Sequence, residues 1–431
     1  MTTDVARPRP FFGPIPVVFL GLALLGGGVF AWGALDVESS ARAWRSFLQN
    51  WLLWAALAQG AITFSCAIRL TNGRWAGPIH RIADSIGACV PISLALYFVL
   101  WAGRHQLFEW VETPVAGKEW WYNESFLFTR DVAGLFWMVG MTGLYLYMTI
   151  RPMLGAARES TNGWQGGLVQ RWTAGWRGED VERSLADRRL RKLAAPMAMS
   201  FGLVYSMLAV DMVMALAPHW VSTMFPAYYA WGGFLSAVAL TTLISLVMSK
   251  SPELKGEITE SRRHDLGKML FGFCIFWMYL FWSQYIVIWY GNIPEETSFV
   301  QARLGTQFLQ DEWYMAGFWT RIAQPYVKIT LTAWVCCWLI PFWVLLGAKP
   351  KKTPAILGSV SVIILIGFWI ERFILVTPSI VPPDAVLQGA PIHLFGLIEI
   401  GTSIGFIGLF GLGFLAFARG FPGALAQRKG S

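Results

Sequence analysis

Apolar stretches of about 20 residues recur along this chain, and each is long enough to cross a hydrocarbon core about 30 Å thick. They fall near 15–35, 51–69, 84–102, 125–150, 193–217, 224–249, 265–290, 325–346, 354–377 and 394–418. In lipid every backbone polar group needs an internal partner, which leaves helices or closed barrels. A barrel would show alternating segments of about ten residues, and the sequence has none. The expected fold class is an all-α integral membrane protein, one polytopic bundle of about ten transmembrane helices over residues 1–431. Composition agrees, with 55% hydrophobic and only 14% charged residues. A soluble domain carries nearer a quarter charged. The first run, Pro16 to Ala34, follows Arg7 and Arg9 much as a signal peptide would. No small-residue cleavage site clearly follows it, so a retained membrane anchor is expected.

Lys and Arg in the short loops predict orientation. Arg69, Arg74 and Arg81 follow the second run, and the long connection after the fourth carries arginines from Arg151 to Arg191. Lys250 to Lys268 follow the sixth, Lys349, Lys351 and Lys352 the eighth, and Arg419, Arg428 and Lys429 the tenth. The alternate loops are acidic, with Glu109, Glu112, Glu119 and Glu124 after the third run, and Glu295, Glu296, Asp311 and Glu312 after the seventh. This alternation predicts both termini in the cytoplasm and a multi-pass protein suited to a bacterial inner (plasma) membrane. It accounts for the net charge of +8 without a nucleic-acid partner.

The chain offers little for cofactor ligation. Cys66, Cys89, Cys274, Cys336 and Cys337 contain no CxxC pair, and an iron–sulfur cluster needs four thiolates at suitable spacing. A membrane haem needs paired histidines at mid-depth, whereas His80, His105, His219, His264 and His393 fall at or beyond helix ends. No metal ligand set, covalent cofactor site or nucleotide-binding P-loop is expected. Of the 24 Trp, many sit near span ends as an aromatic belt, and Phe108 to Tyr122 reads as an amphipathic or re-entrant segment expected along the outer surface.

Ionisable residues inside the membrane are costly and usually functional. Arg130–Asp131, Asp211, Glu371–Arg372 and Glu399 all fall in the predicted outer half. Adjacent charges on a helix point about 100° apart, so each is expected to seek a partner on another helix. Two readings are open: ion pairs that lock the bundle, or a cluster that binds a polar head group or relays protons. On the inner side His80 and Asp84, at i and i+4, share one face, and His264 and Asp265 open the seventh run. These either cap helices at the lipid head groups or form a proton inlet. Between the layers Ser283, Gln284 and Tyr285 would hold water in a chain, or serve as ordinary helix–helix glue.

The stretch from His264 to Thr297, HDLGKMLFGFCIFWMYLFWSQYIVIWYGNIPEET, resembles the core of the NrfD-like membrane subunits of alternative complex III. So do Tyr205 to Asp211 and Pro218 to Thr223. Length and a short tail are more similar to the ActF-type subunit than to its ActC-type paralogue. The resemblance implies a subunit of a bacterial quinol:electron-acceptor oxidoreductase. Its implied partners are a homologous ActC-like membrane subunit, an iron–sulfur protein, and multihaem and monohaem cytochrome c subunits. Its implied ligand is a quinone, menaquinone or ubiquinone, with Asp211, His264 and Asp265 as proton-path residues. One departure is Met-Val-Met-Ala-Leu-Ala between Asp211 and Pro218, where the family more often shows polar or acidic residues. A membrane quinol anchor for another NrfD-type periplasmic reductase stays open. So does a secondary transporter, although transporters favour broken helices and midplane sites.

Overall fold

A computed structural model describes residues 13–159, 167–251, 254–305 and 323–421. Arg7, Arg9, Asp311, Glu312, Arg428 and Lys429, used above for topology, lie outside the described residues, as do both termini. Among the described residues there is no strand. Ten helices are long and apolar enough to cross a membrane: α1 Ile15–Leu35, α2 Ser40–Leu70, α3 Ile79–Ala102, α4 Glu124–Ala156, α5 Glu179–Leu216, α6 Phe225–Met248, α7 Glu260–Gly291, α8 Val327–Val344, α9 Pro354–Ile380 and α10 Leu397–Gly420. The chain is a multi-pass membrane protein whose surroundings are a lipid bilayer.

Two four-helix bundles share one long seam. α2, α3, α4 and α5 close the first ring of neighbours, and α6, α7, α8 and α9 close the second. α2 lies between them, packed against α3 and α5 on one side and α6 and α9 on the other. Its small residues permit this close approach: a Cβ on Gly60 would meet the Gly233 carbonyl at 3.0 Å. α1 stands outside both rings and packs mainly on α10, where Gly26 meets Gly401 and Gly405 backbone to backbone.

Two helices start more than ten residues earlier than hydrophobicity indicates. α2 begins at Ser40 instead of residue 51, and α5 at Glu179 instead of 193. The added turns of α2 bury Ala43, Ser46, Phe47 and Gln49 against neighbours, so tertiary packing replaces the missing apolar run. Elsewhere local chemistry sets the ends. The Thr259 hydroxyl accepts the Arg262 N–H at 3.3 Å to start α7, and Asn292, at φ 45°, closes it in the left-handed conformation. α3 is two helices in tandem, Ile79–Gly87 and Val90–Ala102. α8 contains a π turn at Val335–Leu339, just before Pro341, whose ring cannot continue the ordinary helical ladder. The turn brings Cys336 and Cys337 against Gly367 of α9, where any Cβ would clash. This vicinal pair is a packing element, and all five cysteines are free thiols.

The Phe108–Tyr122 connection is two-sided: Phe108 and Trp110 are buried, Trp110 stacks on Tyr122 at 5.6 Å, and Glu109, Glu112 and Glu119 are exposed. Trp120 alone of the local tryptophans is strongly exposed, at 70%.

Candidate functional site

The loops divide the bundle into a basic face and an acidic face, and buried charge collects near both. Toward the acidic face Arg130 of α4 grips Asp211 of α5 with two hydrogen bonds, Nε to Oδ2 at 2.7 Å and Nη2 to Oδ1 at 2.5 Å. The guanidinium also donates to the Trp121 carbonyl at 3.1 Å and lies 4.0 Å from the Trp121 ring centroid. Asp211 is fully buried. The next residue, Asp131, also points inward, and its Oδ2 accepts the Tyr97 hydroxyl at 2.9 Å, while its Oδ1 has no partner. Asp131 and Asp211 lie close enough to repel each other. A cluster of two carboxylates and one guanidinium is electroneutral only while it holds one proton. The second carboxylate gives the cluster a proton-binding position that leaves the Arg130–Asp211 pair intact.

The other charges expected in this half do not join that cluster. Glu399 of α10 is held by Arg42 of α2, Nε to Oε1 and Nη2 to Oε2, both at 2.6 Å. Arg42 lies in the early turns of α2, outside the apolar run, so hydrophobicity alone hid it. Glu371 and Arg372 of α9 correct the expectation that adjacent charges turn to other helices. Arg372 Nη1 sits 2.9 Å from Glu371 Oε2, because a long arginine stem can curl back on its own helix. The Glu371 carboxylate is thus paired within its own helix, with Tyr228 of α6 beside it. Arg372 also donates to the Tyr229 carbonyl at 3.3 Å and lies 4.3 Å from the Tyr229 ring centroid.

Toward the basic face His80 and Asp84 of α3 project into the first bundle. His80 Nδ1 meets the Ser65 hydroxyl at 3.3 Å, Ser65 meets the Tyr145 hydroxyl at 3.0 Å, and Arg69 donates to Tyr145 at 2.8 Å. Asp84 is 2% exposed and neither carboxylate oxygen is hydrogen-bonded. A cavity of about 130 Å³, lined by Arg69, Asn72, His80, Asp187 and Arg191 among others, leads to this group. His264 and Asp265 are placed differently. His264 is half-buried, and Asp265 pairs with Lys268 at 2.7 Å on a partly exposed turn.

Polar groups continue through the first bundle between the two layers. Thr142 of α4 donates to Gln59 of α2 at 3.2 Å, and Thr63 donates to the Gln59 carbonyl at 3.0 Å. Nearer the acidic face the buried Ser93 hydroxyl has no partner, four residues before Tyr97. Thr142 and Asp131 are eleven residues apart, about 16 Å along α4. In the second bundle Gln284 and Tyr285 line a cavity of about 290 Å³, and Ser283 does not.

Sequence reasoning missed Tyr97, Tyr145, Arg69, Gln59, Arg42 and Arg303. The tyrosines and Gln59 are ordinary residues within apolar runs, and only tertiary contact gives them partners. Among the described residues no three His, Cys, Asp or Glu side chains converge as a metal site would require. Comparison of the chain with protein-family models gives no match, and comparison with curated proteins gives none either.

Proposed function

We propose that this chain is the proton-conducting membrane subunit of a quinol:electron-acceptor oxidoreductase of the alternative complex III type. In this reading it resides in a bacterial inner membrane with its basic loops in the cytoplasm. The observation that carries the reading is the first bundle. A charged layer lies at each end, His80–Asp84–Arg69 and Arg130–Asp131–Asp211, and buried polar side chains of α2, α3 and α4 lie between them. Burying this many ionisable groups only to lock helices is expensive, and small residues already pack α2 tightly.

The proton route runs from the cavity at Arg69 and His80, past Asp84, Tyr145 and Gln59, to Asp131 and Asp211. Asp131 takes the proton while Tyr97 holds its Oδ2, and Arg130 fixes the neighbouring Asp211 carboxylate. Release follows when the charge balance of this cluster changes. In such a complex quinol oxidation beside the acidic face supplies that change, with electrons passing to a neighbouring subunit. The ActF-type assignment, the iron–sulfur and cytochrome c partners, and the choice between menaquinone and ubiquinone belong to the same proposal.

Two experiments test it. Affinity purification of the full chain in mild detergent should bring down a large iron–sulfur protein and multihaem cytochrome c, read from the haem spectrum. Recovery of the chain alone, without haem, would overturn the complex and bring back the transporter alternative. In proteoliposomes of the intact complex, Asp131→Asn should lower the proton/electron ratio while quinol oxidation continues. An unchanged ratio would remove the proton path.

A further inference from the structure

α9 and α10 both pack along α2 but scarcely approach each other, so a cleft open to lipid lies between them with α2 as its floor. They meet at one place. Trp369 of α9 donates through its indole Nε1 to the Ser403 hydroxyl of α10 at 2.9 Å, and its ring lies 5.8 Å from that of Phe395. Gln49 of α2 donates to the Trp369 carbonyl at 3.1 Å. On the basic-face side of this contact the walls are apolar and exposed. Val362 and Ile366 share a stripe of α9 with Trp369, and Ile407 shares a stripe of α10 with Ser403. On the acidic-face side stands Arg45, four residues before Gln49 and therefore on the same side of α2.

Arg45 is half-buried and makes no hydrogen bond or ion pair with any other described residue. Its guanidinium lies within electrostatic reach of Tyr326, Glu399 and Arg42. Glu399 is already taken, because Arg42 holds both of its oxygens at 2.6 Å. Gly396 makes that grip possible, since a Cβ there would overlap Arg42 Nη2. Tyr326 directs its hydroxyl to the Val381 carbonyl at 2.7 Å. Two arginines thus share one carboxylate, and the group carries one uncompensated positive charge. The first turn of α10 adds to it, because its N-cap, Gly396, has no side chain to accept from the free N–H groups. An arginine that only snorkelled would carry its charge away from Arg42 into water. Arg45 instead stays folded in beside Arg42, with five donors and no acceptor.

Depth and walls define the occupant. α2 has 31 residues, about 46 Å, against a hydrocarbon core of about 30 Å. A centred helix of that length leaves about 8 Å at each end among the head groups. Arg45 lies five residues, about 7.5 Å, from the start of α2, and so at the level of the lipid phosphates. A phosphate accepts two parallel bonds from a guanidinium and balances the surplus charge. We infer that the cleft is a built-in phospholipid site of the acidic-face leaflet. Arg45 binds the head-group phosphodiester, and an acyl chain passes over the half-buried Trp369 to lie against Ile366 and Ile407. A free anion would meet the charge but leave these walls uncovered. The site is independent of the proton route proposed above.

The test uses the purified full-length chain, delipidated in detergent, with dioleoyl-phosphatidylglycerol as the probe. Dioleoylglycerol supplies the tails without phosphate, and glycerophosphoglycerol the head without tails. Native mass spectrometry should show one phospholipid held at least tenfold more tightly than further copies and than dioleoylglycerol. Arg45→Met should weaken that first lipid at least tenfold. Because Arg45 bonds nothing within the described chain, this variant should keep the wild-type melting temperature when delipidated and lose the rise that phosphatidylglycerol gives the wild type. A lowered melting temperature without lipid would mark Arg45 as a structural residue and overturn the proposal. Ile366→Trp, which narrows the cleft with Arg45 in place, should weaken the first lipid as well. Unsaturable uptake, equal retention of dioleoylglycerol, or a first lipid untouched by both variants would overturn the site. Glycerophosphoglycerol binding as tightly as the lipid would overturn the acyl cleft and leave Arg45 to a soluble phosphate ester.

Discussion

The two bundles treat buried charge in opposite ways. In the first, Arg130 and Asp211 satisfy each other through two short hydrogen bonds, and Tyr97 takes one oxygen of Asp131. In the second, Glu371 and Arg372 pair at 2.9 Å within one helix, and the carboxylate faces an apolar cavity. A closed cluster spends its charges on holding helices together and retains room for one proton. A pair within one helix ties no second helix through its charges. Similar residue types at similar depth therefore have different consequences, decided by what the neighbouring helices bring.

Four stability measurements would sharpen or break this contrast, each read as thermal unfolding of the purified protein in detergent. The largest effect is expected for Arg130→Met, which strands Asp211 in a dry site and should cost about 3–5 kcal/mol. Lowered yield of folded protein would accompany it. Arg130→Lys keeps the charge but loses the two-pronged grip, and a cost of about 1–2 kcal/mol is expected. Arg42→Met should cost less than Arg130→Met, about 1–2 kcal/mol, because its partner Glu399 stands next to a cation site partly open to solvent, with Arg42 itself 23% exposed. Glu371→Gln should be milder than Arg130→Met, about 1–2 kcal/mol, because the amide keeps a polar group beside Arg372 while removing the charge that lies 2.9 Å from its buried guanidinium. If Glu371→Gln proves as damaging as Arg130→Met, the distinction between the two arrangements fails.

The number of spans and their rough positions were legible because a membrane demands long apolar runs and little else competes with that signal. The intramembrane charges were legible for the same reason: Asp211 and Glu371 interrupt such runs. Their partners were not. Arg42 lies in turns that carry polar residues and become helical only through packing on their neighbours. Asp265 and Asp84 look alike in sequence, each near a histidine at a helix start. Yet Asp84 is sealed inside the first bundle, and Asp265 pairs with Lys268 at a partly exposed edge. Gln284 and Tyr285 were visible as polar positions in α7. Their place on a cavity depends on the course of α8 after its π turn, which no local pattern in α7 encodes.

The position of α2 has a consequence for how the protein reaches its membrane. α2 is buried along most of its 31 residues. Its best window has a mean hydropathy of 1.5, against 2.1 for the lipid-facing α1. Gln49, Asn50 and Gln59 suit a protein interior better than acyl chains. A helix of this kind is expected to leave the insertion machinery poorly on its own, and to settle only once α3 to α6 arrive to surround it. Truncations ending after α2 should therefore show incomplete insertion in a glycosylation-mapping assay, and truncations ending after α6 should show full insertion. Equal insertion of both would mean that α2 tolerates lipid, and that its burial is acquired after assembly instead of being needed for it.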